Sequence, residues 1–433
     1  MGNSFLRSKQ LLQKACELTP LGSQTYSKSY RYFCQGVSPA FIEKGKGCYL
    51  WDVDGNKYID FICALGAVLV GYNDERVNRA IIKQLEKGIS FSQPSKLSVE
   101  LAERLTGIIP GAEMVRYLKN GSDATSSAVK LARAYTGKDI IGVCGYHGMQ
   151  DWYISSTPNN KGVPDKLKEF VFTFNYNDIN SIKQFFDKYN GKIAALILEP
   201  IQANGPENDF LKKLKEIAHK NSALIIFDEV ISGFRYALGG AAQLYDVVPD
   251  LTAFGKGLSN GMPLSVVSGK KEILNMVETD NVFISTTFGD EALSLASAIE
   301  TLNILSEKGT YEKIWGLGNR MLEGMRNIIS KYKLNGIIEV SGLAPHGGLS
   351  FNDSGSLRYT DVQSVYQQKI TEDGFLTIGI NNICLSHTER EVDLFINSSD
   401  EGMALVKEAV KKDSTAGILK SKPINPVFKR NKR

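Results

Sequence analysis

Four short apolar runs constrain this chain most. Ile140–Cys144, Ile193–Leu198, Leu224–Phe227 and Leu251–Phe254 are rich in β-branched or aromatic residues and are only four to six residues long. Helical stretches lie near 122–136, 178–189 and 208–220. Strands that alternate with helices predict an α/β fold built on a mainly parallel sheet covered on both faces. In such a sheet the strand ends share one edge, and ligands bind there.

The residues that end these runs are charged. Glu199 follows the second run, Asp228 the third, and Lys256 lies between Gly255 and Gly257 after the fourth. Glu199 and Asp228 are 29 residues apart, and Asp228 and Lys256 are 28 apart. Those intervals fit one strand–helix unit each, so acid, acid and amine are expected to converge. A solvated surface lysine is a poor reading of Lys256, because glycines and apolar neighbours imply a close-packed place. Burial lowers a lysine's pKa, as a nucleophilic amine requires. An acid that ends an apolar strand must find a partner. A lysine that can form a Schiff base and a carboxylate that can pair with a pyridinium nitrogen are the two protein groups pyridoxal phosphate chemistry needs.

Other segments are ambiguous alone. Asn120-Gly121-Ser122-Asp123-Ala124 opens a helix with Ala128, Leu131, Ala132 and Tyr135 on its apolar positions. Its free N–H groups suit a phosphate, but simple capping explains Ser122 and Asp123 as well. Tyr146, in Gly145-Tyr146-His147-Gly148, follows a strand and could stack on a flat ring or on the core. Thr286-Thr287-Phe288-Gly289-Asp290 precedes another helix, and its hydroxyls could face a phosphate or cap the helix.

Composition excludes more than it identifies. The chain has 433 residues, 42% hydrophobic and 23% charged, with a net charge of +4. That is ordinary globular composition and does not favour nucleic acid or membrane partners. Six scattered cysteines without a Cys-x-x-Cys pair read as reduced thiols of a cytoplasmic protein. With four histidines and no close His/Cys/carboxylate cluster in the sequence, no metal site is expected. The basic, proline-containing stretch 416–433 reads as a disordered tail. The Gly121–Ser122 loop lacks the Gly-Lys-Ser/Thr ending of a nucleotide-binding P-loop.

Local patterns place the remaining elements. Residues 4–20 read as an amphipathic helix, 49–60 as a β-hairpin about Asp54-Gly55-Asn56, and 74–88, 291–306 and 310–332 as helices. From about 335 the chain mixes short strands and helices, as a smaller α/β lobe would.

Taken in order, Gly45-Lys46-Gly47, Trp51–Asn56, Asn120–Ala124, Tyr146-His147-Gly148, Asp228–Arg235 and Gly255-Lys256-Gly257 resemble the class III (ω-type) pyridoxal-phosphate aminotransferases. Among these the chain is most similar to the glutamate-1-semialdehyde 2,1-aminomutases, from about residue 35 to about 410. The resemblance implies a fold-type I subunit of a homodimer, its large domain holding a mainly parallel, seven-stranded-type sheet. The boundaries it suggests are an N-terminal segment 1–48 joining the small lobe, a large cofactor domain 49–305 and a small α/β domain 306–415. It also implies roles. Lys256 would carry pyridoxal 5'-phosphate and then move protons, while Asp228 keeps the ring nitrogen protonated. Val230 and Tyr146 would cover the two ring faces, and Gly121 and Ser122 would hold the phosphate. Thr287 would reach the neighbouring subunit's phosphate. Glu199 would lie on the cofactor's substrate side, Asn204 near its ring hydroxyl, and Arg31 would meet a substrate carboxylate.

The departures concern substrate. Ala64-Leu65-Gly66 stands where the aminomutases carry Ser-Trp-Gly, and Ser27–Phe33 replaces most of their substrate loop. The expected reaction is transfer of an amino group from a donor, glutamate being the first choice, to an aldehyde or ketone. The alternative is the aminomutase's intramolecular shift.

Overall fold

The computed structural model describes residues 4–426 and divides into two compact units, one of residues 4–74 and 312–426, the other of residues 75–311. The larger unit is built on a seven-stranded sheet. Its strands run Met114–Leu118, Ser265–Gly269, Leu251–Phe254, Leu224–Glu229, Ile193–Leu198, Ile140–Cys144 and Val171–Thr173 across the sheet. Ser265–Gly269 is antiparallel to both its neighbours, Met114–Leu118 and Leu251–Phe254. The other pairings from Leu251–Phe254 outward are parallel. The mainly parallel sheet with helices on its faces is therefore present, and three of its strands (Met114–Leu118, Val171–Thr173 and Ser265–Gly269) add to the four read from sequence.

Strand alternation sorts the core into two layers. Ile141, Val143, Ile197 and Ile226 pack with Ala124, Ala128, Leu131 and Ala132 of the helix Gly121–Thr136. Leu196, Leu198, Ile225 and Phe227 point the other way. They meet Ile182, Phe185 and Phe186 of Ile179–Lys188 and Phe210, Leu211 and Leu214 of Phe210–Lys220. Each Val, Leu, Ile or Phe side chain fully buried in this way contributes about 1.5–3 kcal/mol. The helices stop where local chemistry says they should. Gly137, at φ +64°, ends Gly121–Thr136 in the left-handed region. The Asp178 carboxylate caps Ile179–Lys188 by accepting from the N–H groups of Asn180 and Ser181.

The smaller unit groups the start of the chain with its C-terminal third. Its helix Leu6–Leu18 is anchored by Asp54, whose carboxylate accepts the N–H groups of Arg7 and Ser8 at 2.7 and 2.8 Å. The hairpin strands Tyr49–Asp52 and Lys57–Asp60 pair as expected. They belong to this unit and not to the large domain, because Lys57–Asp60 pairs in parallel with Phe375–Leu376. A second sheet joins Ile338–Leu343, His346–Phe351 and Ile380–Asn382, and the helices Tyr359–Glu372 and Glu389–Lys412 complete the unit. Residues 427–433 of the expected tail lie outside the described residues. Among those described, Asn425 N–H bonds Arg31 O and Ile424 is buried, so this part of the tail is docked.

Candidate active site

The four central parallel strands end side by side, and the residues that follow them form the candidate site of the larger unit. After Leu251–Phe254 the chain turns through Gly255 into a short 3-10 turn that starts at Lys256. Lys256 has φ +43°, a left-handed conformation that a non-glycine residue adopts at a cost. The side chain is half-buried. Desolvation lowers its pKa, the charges of Glu199 and Asp228 oppose that shift, and nearby Arg235 adds to it.

Asp228 is buried and doubly held. One carboxylate oxygen accepts the Val230 N–H at 3.1 Å, and the other lies 2.8 Å from His147 Nδ1. His147 is buried, and its Nε2 has no hydrogen-bond partner. Its backbone oxygen accepts from Thr125 Oγ1 at 2.8 Å, which ties it to the helix Gly121–Thr136. Glu199 accepts the Tyr146 N–H at 2.9 Å. Desolvation first, and then the charge of Asp228, raise its pKa, whereas His147 and Lys256 pull it down. Tyr146 is half-exposed and meets Tyr153 edge-on at 5.7 Å.

The helix start beside these groups has the features of an anion cradle. The N–H groups of Gly121 and Ser122 open a 16-residue helix and have no partner within it. Asp123 turns back and accepts the Asn120 N–H at 2.8 Å, so its carboxylate is engaged as a cap. A Cβ on Gly121 would come within 2.7 Å of Val230 Cγ1, and one on Gly255 within 3.5 Å of the same atom. Val230 therefore sits between the helix start and the Lys256 turn. A half-buried amine, a buried carboxylate, a free helix N-terminus and a close apolar side chain suit a phosphorylated, electron-poor aromatic aldehyde.

Asn204 is exposed. Gln202, which the sequence reading passed over, donates to Cys144 O at 3.1 Å and would lie 3.1 Å from a Cβ on Gly145, beside Glu199. Thr287 is exposed and lines another cleft, of about 170 Å³, with Ser90–Ser95, Asp290 and Glu291. Arg31 belongs to the smaller unit. There it lines a cleft of about 420 Å³ with Tyr30, Phe33, Gln35 and residues 422–425. His147 was legible only as a polar residue after a strand; its link to Asp228 is a tertiary fact.

The expectation that no His/Cys cluster exists needs correction. In the smaller unit Cys63, Cys384 and His387 come together, all buried. Sequence distance hid this, since Cys63 is more than 300 residues from the other two. Among the described residues no helix is long and apolar enough to cross a membrane.

The chain is similar to known proteins along most of its length. The Aminotransferase class-III family profile matches residues 32–385. A glutamate-1-semialdehyde 2,1-aminomutase of Francisella philomiragia subsp. philomiragia is 38% identical over 346 residues, 76% of this chain and 80% of that protein. A 3-aminobutyryl-CoA aminotransferase of Cloacimonas acidaminovorans is 32% identical over 412 residues, 93% of this chain and 98% of that one. Among solved structures, the Sphingopyxis sp. MTA144 FumI protein in its PLP internal aldimine form superposes with a TM-score of 0.86. It is 26% identical and covers 96% of this chain and 99% of its own.

Proposed function

We propose, since the chain belongs to the class III aminotransferase family and its cofactor is accordingly pyridoxal 5'-phosphate, that it transfers an amino group from a small amino donor, glutamate first, to an aldehyde or ketone. The observation that carries this reading is the half-buried Lys256 amine, its pKa lowered by desolvation, at the end of the strand next to the one that carries Asp228, with Glu199 at the end of the strand beyond. Bound, the cofactor supplies an aldehyde for an amine to join and a ring that draws electrons from the substrate carbon.

The protein's part is position and charge. Lys256 is the amine that anchors the cofactor. Once displaced by substrate, it would move a proton between the substrate carbon and the cofactor's aldehyde carbon, and desolvation, which lowers its pKa, favours the neutral amine that task needs. Asp228 is the anion that keeps a proton on the ring nitrogen. The His147 contact at 2.8 Å holds its carboxylate in one orientation. Val230 and Tyr146 confine the ring, and the N–H groups of Gly121 and Ser122 take the phosphate. Glu199, with its raised pKa, faces incoming substrate beside Gln202. Thr287 and Arg31 keep the roles the family resemblance assigns, phosphate contact to a partner subunit and capture of a substrate carboxylate. A homodimer is part of the proposal; exposed Phe91, Phe283 and Phe288 of the larger unit suit a covered face.

The experiment is Lys256→Ala. The purified wild type should absorb near the visible–ultraviolet boundary through its lysine-linked cofactor, and the variant should lose that band and nearly all turnover. Full activity in the variant would refute the reading. The aminomutase shift is the second reading, favoured by the 38% identical relative. Turnover without an external keto acid would select it.

A further inference from the structure

We propose that the smaller unit holds a structural transition-metal site, Zn2+ by preference, made by Cys63, Cys384 and His387. One donor atom from each lies within 4.8 Å of the others. Cys384 and His387 have the short Cys-x-x-His spacing, which brings Cys384 Sγ to 3.3 Å from His387 Nδ1. Cys63 arrives from the far end of the sequence. The parallel pairing of Ile59 with Phe375 and Asp60 with Leu376 fixes the approach, and the N–H of Asn382 on Phe61 O and of Leu385 on Leu69 O extend it.

The chemistry of the set is soft and specific. Two thiolates and an imidazole are donors that Zn2+ accepts in tetrahedral geometry. Two thiolates also cancel the charge of a divalent ion, so the occupied site would bury no net charge. Further donors are at hand, since the main-chain oxygens of Asp60 and Asn382 lie 3.6 and 3.3 Å from Cys63 Sγ. The Asp60 carboxylate is engaged with the N–H groups of Ile62 and Cys63 and the Tyr72 hydroxyl. The His387 ring is locked by a stack on Phe61, with centroids 4.5 Å apart and planes 2° from parallel. Its Nε2 has no hydrogen-bond partner. Its Nδ1 lies beside Cys384 Sγ and accepts the Cys384 N–H at 3.0 Å, so ligation at that atom would replace this bond.

Backbone strain points to the same place. Cys63, Ala64 and Leu65 have φ of 49°, 51° and 62° in succession, and Gly66 continues the left-handed run at 82°. Side chains resist that conformation, and the Asp60 carboxylate on the Ile62 and Cys63 N–H groups, with the Gly66 N–H on Ile62 O and the Val68 N–H on Cys63 O, holds the turn. A metal bond at Cys63 would hold its first residue.

Because the cluster is closed to solvent, the metal would enter as the chain folds. The test is to express the full-length protein in medium supplemented with Zn2+ or with Co2+. Metal per chain is measured after removal of loosely bound ions, and the Co2+ protein is examined for thiolate charge-transfer bands and intense tetrahedral d–d bands in the red, clear of the cofactor. One metal per chain with those bands is expected. Cys63→Ser and Cys384→Ser should each lose them, whereas Cys34→Ser, whose thiol instead faces Ser364 O, should keep them. A folded wild type carrying no metal above background overturns the proposal, as do bands that survive in both ligand variants. The wild-type arm stands even if a variant fails to fold.

Discussion

Gly148→Ala tests whether the phosphate-type helix start is set by close packing. Gly148 has φ +106°, and a Cβ there would lie 2.2 Å from Ser122 Oγ, 2.7 Å from Ser122 Cβ and 2.9 Å from Ser122 Cα. The last two atoms cannot swing aside as a side-chain tip can, so one loop must move. Ser122 Oγ also accepts the Met149 N–H at 3.2 Å, which the same shift would strain. Overpacking of this kind costs about 1–3 kcal/mol, and the unfavourable backbone adds about 1 kcal/mol. A loss of about 2–4 kcal/mol in unfolding free energy is expected, with weaker cofactor retention because Ser122 N–H is displaced. Gly137→Ala is the control. It also has a left-handed φ, +64°, but nothing lies within 4 Å of its Cβ, so only the backbone cost of about 1 kcal/mol applies. Denaturant unfolding of the cofactor-free proteins measures the difference, and dialysis of the loaded proteins measures retention. Equal losses in the two variants would refute the packing argument.

Three further outcomes follow from single groups. Burial pushes the Glu229 carboxyl from its ordinary 4.5 up to about 7, against hydrogen bonds from Ala241, Ala242 and Ser232. The folded state therefore binds the extra proton, and stability falls as pH rises between those values, by about 3 kcal/mol from this group; Glu229→Gln should flatten that slope in pH-dependent denaturation, and an unchanged slope contradicts the assignment. Lys119→Met should destabilise the protein by about 3 kcal/mol, because Glu291, paired to it at 2.9 Å with both side chains largely buried, would be left without its countercharge; a loss below about 1 kcal/mol would class the pair with surface ion pairs. Asp54→Ala removes the acceptor of the first N–H groups of Leu6–Leu18, at a cost of about 1 kcal/mol, and hydrogen exchange should quicken in that helix while the large sheet is unaffected.

Much of the larger unit was legible because its physics is local. Apolar β-branched runs of strand length, separated by helix-length stretches, admit few folds other than a covered parallel sheet. Parallel strands then put Glu199, Asp228 and Lys256 at one edge without further information. The strands that escaped notice lacked that signal. Val171–Thr173 has three residues at the sheet edge, and Met114–Leu118 is only partly buried along most of its length. Ser265–Gly269 is fully buried but carries two serines; Ser265 is accommodated by donating to Asn120 O at 2.7 Å. No periodicity could announce that bond.

What the amino-acid order determined by itself was the sheet and the charged ends of its strands, since both depend on residues within one strand–helix unit. What only the tertiary structure decided was every contact across long sequence distance. His147 meets Asp228 across 81 residues, the Lys57–Asp60 strand joins Phe375–Leu376, and Cys63 reaches Cys384 and His387. Such pairs are chosen by which faces must be buried together, a property of the assembled core that no single segment contains.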